Sequence, residues 1–460
     1  MTHAGPPFSP DDVKDDFIPR EPYFSREFER LECENLWPYV WQMACRLEEL
    51  PKVGSYVTYD IVDESIIVVR TGEGPHDVKA YHNVCPHRGR RLVDDCGHAQ
   101  RFVCRFHGWQ YNLHGENVRV VDRDDWKGCL QNDDIKLAPV QVDFWGGWVF
   151  VNMDKNCEPL AKFLEPLDQY CSKFEFEKLR YRWYKTTIIP ANWKTILELF
   201  NEFYHVQQTH QQLLPFTNDY SNSDGFGRHG AMWYPATGAL PLSRSPRLPP
   251  KEEPDFRNTI LEFVETFNRD LKAMVTERNY TASQRLRTEL PAGAPPLEAM
   301  GKWVQFQIEA AHADGSGWPE GLTQQYIDDS KLDWHVFPNM IYLHGFVDGV
   351  LWYRARPNGH DPDSCIFDVG SLQRYGEGQA PPLKREFYER WQDGDYPMIF
   401  QQDFANIGEI QKGLKSRGFA GSRANPVQER ALTNFHRKLR EFLRDAPGES
   451  SRRAREGGAS

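Results

Sequence analysis

Two neighbouring stretches of the chain differ in how hydrophobic and polar residues alternate. Between Arg26 and Leu50 the apolar residues recur at roughly helical spacing, which predicts a helical lead-in. From Gly54 to Asp154 the pattern changes to short β-rich runs, such as SIIVVR and GGWVFVNM, separated by turns rich in Gly, Asp and Pro. This second pattern predicts a compact antiparallel β domain.

The rest of the chain mixes helical and strand patterns, so the predicted fold class is α+β. Residues 181–212 predict a strand followed by a long helix, and the Pro-rich stretch 241–300 predicts a covering excursion around one amphipathic helix near residues 258–276. Further predicted elements are strands at 331–356 and 364–374 and helices at about 383–415 and 427–443. The predicted domains are the lead-in at 1–50, the β domain at 51–160, a second domain at 161–445 and a disordered tail at 446–460.

Composition and charge exclude several classes of protein. The 460 residues carry a net charge of -11 with scattered Lys and Arg, which argues against a nucleic-acid-binding surface. No stretch approaches the roughly 18 apolar residues of a membrane span, and the N-terminus lacks the features of an export signal, so we expect a cytoplasmic protein that binds no membrane. Its nine cysteines, an odd number, disfavour a disulfide framework and leave the thiols as candidate metal ligands.

The first candidate metal site lies within the predicted β domain. Cys85-x-His87 is followed, after sixteen residues, by Cys104-x-x-His107. Each of these two short segments, which we call arms, offers one Cys and one His. Two such arms can bind a metal, and a zinc ribbon is one interpretation. Zinc arms usually pair like residues, whereas each arm here offers one thiolate and one imidazole. A cluster with both cysteines on one iron and both histidines on the other accounts better for the mixed arms.

This stretch resembles the Rieske cluster motif. The neighbours that also match its CPHRG and HGW segments are Pro86, Arg88, Gly89, Gly108 and Trp109. The resemblance implies a 2Fe-2S cluster in which Cys85 and Cys104 bind one iron, and His87 and His107 bind the other. Neutral imidazoles reduce the negative charge on such a cluster, so it accepts an electron more readily than a four-cysteine cluster.

A second candidate site lies on the predicted long helix, at Glu202-x-x-His205-x4-His210. Two imidazoles and one carboxylate form the facial triad that binds non-haem Fe(II) and leaves positions open for oxygen. Five helical residues turn about 500°, which leaves the two rings roughly 140° apart. The helix must therefore distort or end between the histidines if both are to bind one ion.

The second run resembles the pattern of the ring-hydroxylating oxygenase α subunit. The matching residues are Asn192, Trp193, Lys194, Glu198, Phe200, Glu202, Tyr204, His205 and His210. The resemblance implies that His205 and His210 bind the iron together with a downstream carboxylate, for which we choose Asp403, with Glu409 as the fallback. It further implies that Glu202 is a catalytic acid, which bridges from an iron-bound histidine to a cluster histidine of the neighbouring subunit. One departure from the pattern is Leu199, where the family has Asn.

The same resemblance implies a function and an architecture. We expect a helix-grip (START/Bet v1-like) catalytic domain behind the Rieske domain, with substrate between sheet and helix. The implied oxygenase takes electrons, ultimately from NAD(P)H, from a separate ferredoxin or reductase. With O2 it would hydroxylate, and by preference dihydroxylate, an aromatic or other hydrophobic cyclic substrate, as in aromatic hydrocarbon catabolism. The implied assembly is a homotrimer or an α3β3 complex.

Three alternatives remain open at this point. They are a monooxygenase or demethylase of the same superfamily, a Rieske electron carrier whose second domain only binds a ligand, and a zinc-stabilised binding protein. The identity of the substrate is not fixed by the sequence. Candidate pocket residues, each of which could equally belong to the core, are Phe200, Val206, Trp334, Phe337, Asn339, Tyr342, His344 and Trp352.

Overall fold

The computed structural model of the chain describes residues 8–234, 242–253 and 255–445. The predicted disordered tail at 446–460 lies outside these residues. The described chain forms two compact units, one made of residues 30–163 and the other of residues 8–29 together with 164–444. The sequence placed the corresponding boundary at residue 160, close to the point where the first unit ends.

The described chain contains the following strands and α-helices. The strands are β1 Ile18–Pro19, β2 Gln42–Arg46, β3 Ser55–Ile61, β4 Glu64–Arg70, β5 Val78–His82, β6 Cys96–His98, β7 Phe102–Val103, β8 Gln110–Tyr111, β9 Asn117–Arg119, β10 Pro139–Trp145, β11 Trp148–Asn152, β12 Leu179–Ile189, β13 Asn222–Phe226, β14 His229–Trp233, β15 Asp333–Val336, β16 Met340–Phe346, β17 Gly349–Asn358, β18 Asp361–Arg374, β19 Arg385–Tyr388 and β20 Gly421–Ser422. The α-helices are α1 Arg26–Leu31, α2 Leu160–Phe163, α3 Leu167–Cys171, α4 Trp193–Leu199, α5 Val206–Thr209, α6 Phe256–Asp270, α7 Glu277–Glu289, α8 Pro296–Ala313, α9 Gln324–Asp329, α10 Met398–Leu414 and α11 Arg430–Asp445.

The first unit is built from antiparallel β-sheet, as its alternating pattern predicts. Seven strands pair in the order β2-β11-β10-β5-β4-β3-β6, and β7, β8 and β9 form a second small sheet. Apolar side chains such as Ile67, Val69 and Tyr81 form one buried core that also contains Cys85 and Cys104. The two cysteines of the predicted cluster therefore lie in the hydrophobic interior of this unit.

The predicted helical lead-in is only partly correct. Helix α1 is followed by a π-helical turn at Glu32–Leu36, but Gln42–Arg46 is a strand that pairs with β11. All five residues of this strand are buried. Because both of its faces are covered, the alternation that distinguishes a strand from a helix is missing from its sequence.

The second unit is organised around an eight-stranded sheet in the order β13-β14-β15-β16-β17-β18-β12-β19. Its strands pair antiparallel, except that β19 runs parallel to β12. The predicted helix over about 383–415 is thus wrong in its first part, where β19 extends the sheet, and correct from Met398 onward. Pro397 immediately precedes that helix. A proline has no backbone N–H to donate to a preceding carbonyl, so it suits the start of a helix rather than its interior.

Helices α4 and α10 cover one face of this sheet. Helix α4 packs against β17 and β18, and α10 packs against α4. The cross-strand partners Ile341, Tyr353 and Val369 point to one face, which we call the inner face. Phe200, which directly follows α4, stacks on Tyr353 with ring centroids 4.3 Å apart. The side chains that follow α4 therefore meet the inner face.

Two further predictions about helices need correction. The long helix expected after β12 is two short helices, α4 and α5, joined by an irregular segment at residues 200–205. The covering excursion contains three helices, α6, α7 and α8, where the sequence predicted one. Helix α6 has a clear apolar stripe, whereas α7 is polar over most of its surface and gave no periodic signal.

Candidate metal centres

The two arms of the first site are closed by the same pair of backbone hydrogen bonds. The amide of Cys85 donates to the Arg90 carbonyl, and the amide of Gly89 donates to the Cys85 carbonyl, each over 2.9 Å. The other arm repeats this arrangement, since the Cys104 amide donates to the Trp109 carbonyl and the Gly108 amide donates to the Cys104 carbonyl. Both glycines have positive φ angles, 74° and 73°, which side chains rarely adopt. Gly89 and Gly108 are therefore required by the two turns.

The four predicted ligands converge in the interior of the first unit. Cys85 and Cys104 are 1% and 2% exposed, and the rings of His87 and His107 lie 4.6 Å apart. The Nδ1 atoms of both histidines are buried without a hydrogen-bond partner among the described residues. Such nitrogens are costly unless something binds them. Both nitrogens are therefore suited to bind a metal.

The spread of these donor atoms fits a binuclear cluster better than a single ion. Within the part of the chain that the structure describes, no three of the four donor atoms lie within 4.8 Å of one another, as they would around one zinc ion. Burial raises the pKa of the Cys85 thiol, and the adjacent Cys104 thiol also raises it, whereas a hydrogen bond with Tyr111 opposes the rise. Positive charge from bound iron is needed to stabilise the two thiolates.

Two aromatic residues support this first site. The His87 ring stacks on Trp109, with centroids 4.7 Å apart and planes within 7° of each other. The Tyr111 hydroxyl lies 3.2 Å from Cys85 Sγ, which allows it to donate a hydrogen bond to the sulfur. Both contacts hold ligands that the sequence identified, but the sequence gave no signal for either contact.

At the second site, the short helix α5 lies between the two histidines and ends before His210. His205 immediately precedes α5 and His210 immediately follows it, so neither is constrained to the 100° spacing of a continuous helix. Asp403, on α10, lies between them. Its Oδ1 atom is 3.0 Å from His210 Nε2 and 3.6 Å from His205 Nε2. The expected distortion between the histidines is confirmed, and the three residues form one group with all donor atoms within 4.8 Å.

Glu202 fixes the orientation of the His205 ring. Its Oε1 atom is 2.5 Å from His205 Nδ1, and its Oε2 atom accepts the backbone N–H of His205 over 3.0 Å. The carboxylate therefore holds the proton on Nδ1 and leaves Nε2 directed at Asp403. Burial lowers the pKa of His205, but the Glu202 carboxylate and then Asp403 outweigh burial and raise that pKa to about 9, so the surroundings of this ring favour a positive charge, which a metal cation at Nε2 can supply in place of a second proton.

Gln402 fixes the orientation of the His210 ring, a role that the sequence did not reveal. Its Oε1 atom accepts an N–H from Gln212 over 2.8 Å and lies 2.8 Å from His210 Nδ1. The amide oxygen is thus turned toward both donors, so His210 carries its proton on Nδ1. Its Nε2 lone pair then faces Asp403 Oδ1, which has no hydrogen-bond donor among the described residues.

This arrangement fits a cation. Two acceptor atoms facing each other across 3.0 Å repel unless a positive charge lies between them, and a carboxylate with two imidazoles is the ligand set of non-haem Fe(II). Glu409, the fallback ligand, is 75% exposed and pairs with Lys412, so the structure does not bring it to this site. Leu199 offers no hydrogen bond, and Asn201 instead lies 3.2 Å from His335 Nδ1.

The predicted pocket residues fall on different sides of the sheet. Phe200 and Val206 lie beside the iron ligands in sequence and are buried. Trp334, Tyr342 and Trp352 are cross-strand partners on the face opposite the inner face. His344 follows on the same face as Tyr342, with its ring 4.5 Å from Phe174.

The prediction that a pocket between sheet and helix is lined by Trp334, Tyr342, His344 and Trp352 is therefore wrong. Asn339 donates its amide to the Ala355 carbonyl, and Phe337 packs on Phe435, so both have structural contacts instead. The strands β15–β17 are buried on both faces, and alternation along them cannot show which face meets the helices.

Comparison with known families assigns both units. Residues 40–156 match the Rieske [2Fe-2S] domain, and residues 175–445 match the catalytic domain of the ring-hydroxylating alpha subunit. The second match spans more than half of the chain. The chain therefore belongs to the ring-hydroxylating oxygenase α-subunit family, whose cofactors are a Rieske 2Fe-2S cluster and a non-haem iron.

Individual relatives are 30–33% identical to this chain over aligned stretches of 198–202 residues. It is 30% identical over 198 residues to the carnitine monooxygenase oxygenase subunit of Acinetobacter pittii, covering 42% of this chain and 52% of that one. It is 30% identical over 199 residues to the glycine betaine monooxygenase oxygenase subunit of Pseudomonas aeruginosa, covering 43% and 45%. The large oxygenase component of a salicylate 5-hydroxylase from Ralstonia sp is 33% identical over 202 residues, covering 40% and 46%. The chain spans about half the length of the curated relatives it matches.

Solved structures confirm the fold. A quaternary ammonium Rieske monooxygenase in complex with L-carnitine aligns over 94% of this chain and 96% of its own, with a TM-score of 0.60 and 17% identity. A naphthalene 1,2-dioxygenase with indole bound aligns over 94% and 92%, with a TM-score of 0.64 and 16% identity. In the described residues, no helix is both long and apolar enough to cross a membrane.

Proposed function

We propose that this chain is an oxygenase component that inserts one oxygen atom from O2 into a C–H bond of a small organic substrate. The observation that carries the proposal is the group of His205, His210 and Asp403, whose donor atoms all lie within 4.8 Å of one another and of which His210 and Asp403 are buried. The curated relatives add the choice of monooxygenation, because those named for carnitine and glycine betaine are monooxygenases. This choice replaces the dihydroxylation of a cyclic hydrocarbon that we expected from the sequence.

The residues around the proposed iron have defined tasks. Bound Fe(II) would supply open coordination positions at which O2 is activated. Glu202 and Gln402 hold the Nδ1 protons of the two histidines, so both Nε2 lone pairs are directed at the metal position. Phe200 and Tyr353 stack beside the site and, with Phe400, exclude water from it.

The proposed reaction consumes one O2, two electrons and two protons for each C–H bond hydroxylated, and it releases one water. Electrons would come from a separate reductase or ferredoxin, as in the family. The relatives named for carnitine and glycine betaine suggest a substrate with a C–H bond next to nitrogen. Hydroxylation there gives a carbinolamine, which separates into an amine and an aldehyde without further oxidant.

Labelled oxygen tests this proposal. The protein, reconstituted with iron and an electron donor, is incubated under ¹⁸O2 with a panel that contains carnitine, glycine betaine and salicylate. We expect one labelled atom in the organic product, with His210→Ala inactive although it retains its cluster absorption. Two labelled atoms in one product would support a dioxygenase instead, and activity in His210→Ala would contradict the proposed site.

A ring of three chains is the assembly we propose, on the basis of the family resemblance. Such a ring would let Glu202 of one chain bridge to a cluster histidine of the next chain, which is the role expected from the sequence. Sedimentation of the purified protein measures its mass directly. A trimer, with or without a second subunit, is expected, and a stable active monomer would contradict it.

A further inference from the structure

Among the described residues of the second unit, the Asp333 carboxylate is buried without a hydrogen-bond partner or an ion pair. Asp333, the first residue of β15, is 0% exposed, and neither of its oxygens has a hydrogen bond among the described residues. Other buried carboxylates of this unit are neutralised: Asp368 is held by Arg354 and Arg356, and Asp219 by Arg247. Burying a carboxylate without a partner is costly, and here burial raises the pKa of Asp333 well above the usual range. A cation bound beside this group would lower that pKa again and so stabilise the negative charge.

The sheet register places Asp333 on the inner face. Asp333 pairs with Leu343, two residues beyond Ile341 on the same strand, and Ile341 pairs with Tyr353. Side chains two residues apart along a strand point to the same face. Asp333 therefore shares its face with Tyr353, which stacks on Phe200 beside the iron ligands.

The pKa of Tyr353 connects Asp333 with the iron ligand Asp403. The pKa of Tyr353 is raised first by burial and then by two carboxylates, Asp333 and Asp403. Tyr353 thus lies within the range of both acids. The pKa of Tyr234 is raised by burial, then by Asp219 and then by Asp333. Its ring stacks on Phe203, two residues before His205, with the centroids 5.5 Å apart.

The groups around Asp333 are apolar or aromatic rather than cationic. Its direct neighbours across the sheet are Met232 and Leu343. The next inner-face residue of β15, His335, is fully buried, and burial lowers its pKa to about 4, so this imidazole is neutral at physiological pH. Among the described residues, no Lys or Arg forms an ion pair with Asp333.

We propose that Asp333 is the counter-charge for a substrate that carries a positively charged nitrogen, and that it positions a C–H bond next to that nitrogen toward His205, His210 and Asp403. Tyr353 and Tyr234, whose pKa values Asp333 raises, add two aromatic rings to these surroundings, and aromatic rings attract quaternary and protonated amines. An aspartate at this place is a specificity-determining residue that does not itself react. The inference rests on the proposed function, since it names the substrate class of the same site.

Matched probes that differ only in charge test the inference. Glycine betaine and 3,3-dimethylbutyrate have nearly the same shape, but the first has a cationic nitrogen where the second has carbon. Titration calorimetry on the cluster-containing protein under anaerobic conditions measures the affinity for both probes. Choline and 3,3-dimethylbutan-1-ol, which again differ only by a cationic nitrogen in place of carbon, serve as a second pair without a carboxylate.

We expect the wild-type protein to bind at least one cation at least tenfold more tightly than its carbon analogue. Asp333→Asn should abolish this preference by weakening the cation alone, because the substitution keeps the shape and removes the charge. Ser371→Ala is the control, since Ser371 has a buried, unpartnered hydroxyl on the same face but no charge, and it should leave the preference unchanged. Thermal unfolding separates a recognition role from a structural one, because removing an unpartnered carboxylate should not lower the melting temperature.

Wild-type protein that binds no cation of the two pairs, or that binds the carbon analogues equally well, would overturn the inference without any variant. Undiminished cation binding by Asp333→Asn would overturn it too. Neither result removes the proposed function if the ¹⁸O2 experiment still gives one labelled atom with a neutral or anionic substrate. The two proposals therefore fail separately.

Discussion

Replacing Gln402 by Leu should weaken binding of the catalytic iron without touching an iron ligand. The substitution removes the acceptor that lies 2.8 Å from His210 Nδ1 and leaves that nitrogen buried, since His210 is 3% exposed. A buried donor without a partner costs about 1–3 kcal/mol. The ring can avoid this cost by moving its proton to Nε2 or by rotating, and either change removes a metal ligand.

The magnitude follows from that free energy. A loss of 1–3 kcal/mol corresponds to roughly a 5- to 150-fold weaker affinity for Fe(II), which agrees with the 10- to 100-fold typical of changes next to metal-bound histidines. The matched control is Gln401→Leu, one residue earlier on α10, because Gln401 donates to the Tyr396 carbonyl and contacts neither histidine. Its affinity for Fe(II) should stay within about twofold of the wild type.

Anaerobic equilibrium dialysis against a ferrous chelator measures the affinity, and the visible absorption of the 2Fe-2S cluster shows that each variant is folded. Equal ferrous affinities for the wild type and Gln402→Leu would refute the claim that this amide fixes the His210 ring. A comparable loss in Gln401→Leu would refute the reasoning as well, because it would point to a general disturbance of α10.

Two further predictions concern the cluster and the pH dependence of folding. Tyr111→Phe removes one hydrogen bond to Cys85 Sγ, which is worth about 1 kcal/mol. Potentiometric titration should therefore give a cluster reduction potential about 40 mV lower than that of the wild type. An unchanged potential would show that the hydroxyl does not act on the sulfur. Burial lowers the pKa of His344 to about 4, below the roughly 6.5 of the unfolded chain, so the stability due to its neutral form is complete above pH 6.5 and is lost as the pH falls toward 4. Between pH 7 and pH 5, His344→Phe should therefore lose about 2 kcal/mol less unfolding free energy than the wild type, and denaturant titrations that fall in parallel would contradict this.

The sequence predicted both metal sites because their ligands are close together along the chain. Cys85 and His87, and likewise His205 and His210, stand at spacings that only a few metal geometries use. The end of α5 just before His210 was predictable for the same reason, since a continuous helix cannot direct two residues five apart at one ion, whereas the break between α4 and α5 was not. Asp403 required the family resemblance, because its distance from the histidines along the chain carries no spacing signal.

Residues whose role depends on tertiary contacts were missed. Gln402 has no spacing signal in the sequence, and its contact with His210 depends on how α10 packs against the α5 region. Asp333 stands in a strand whose two faces are both buried, so nothing in the pattern showed that its carboxylate faces the catalytic side. The same lack of alternation led to the wrong placement of His344.

Metal analysis tests the central claim most directly. The account requires a mononuclear iron, held by His205, His210 and Asp403, in addition to the two irons of the cluster. After anaerobic loading with Fe(II) and desalting, the wild type should contain about three irons and about two acid-labile sulfides per chain. Asp403→Ala should keep the sulfides and the cluster absorption but fall to about two irons. A wild type with only the cluster iron, or an Asp403→Ala variant that keeps the third iron, would contradict the account.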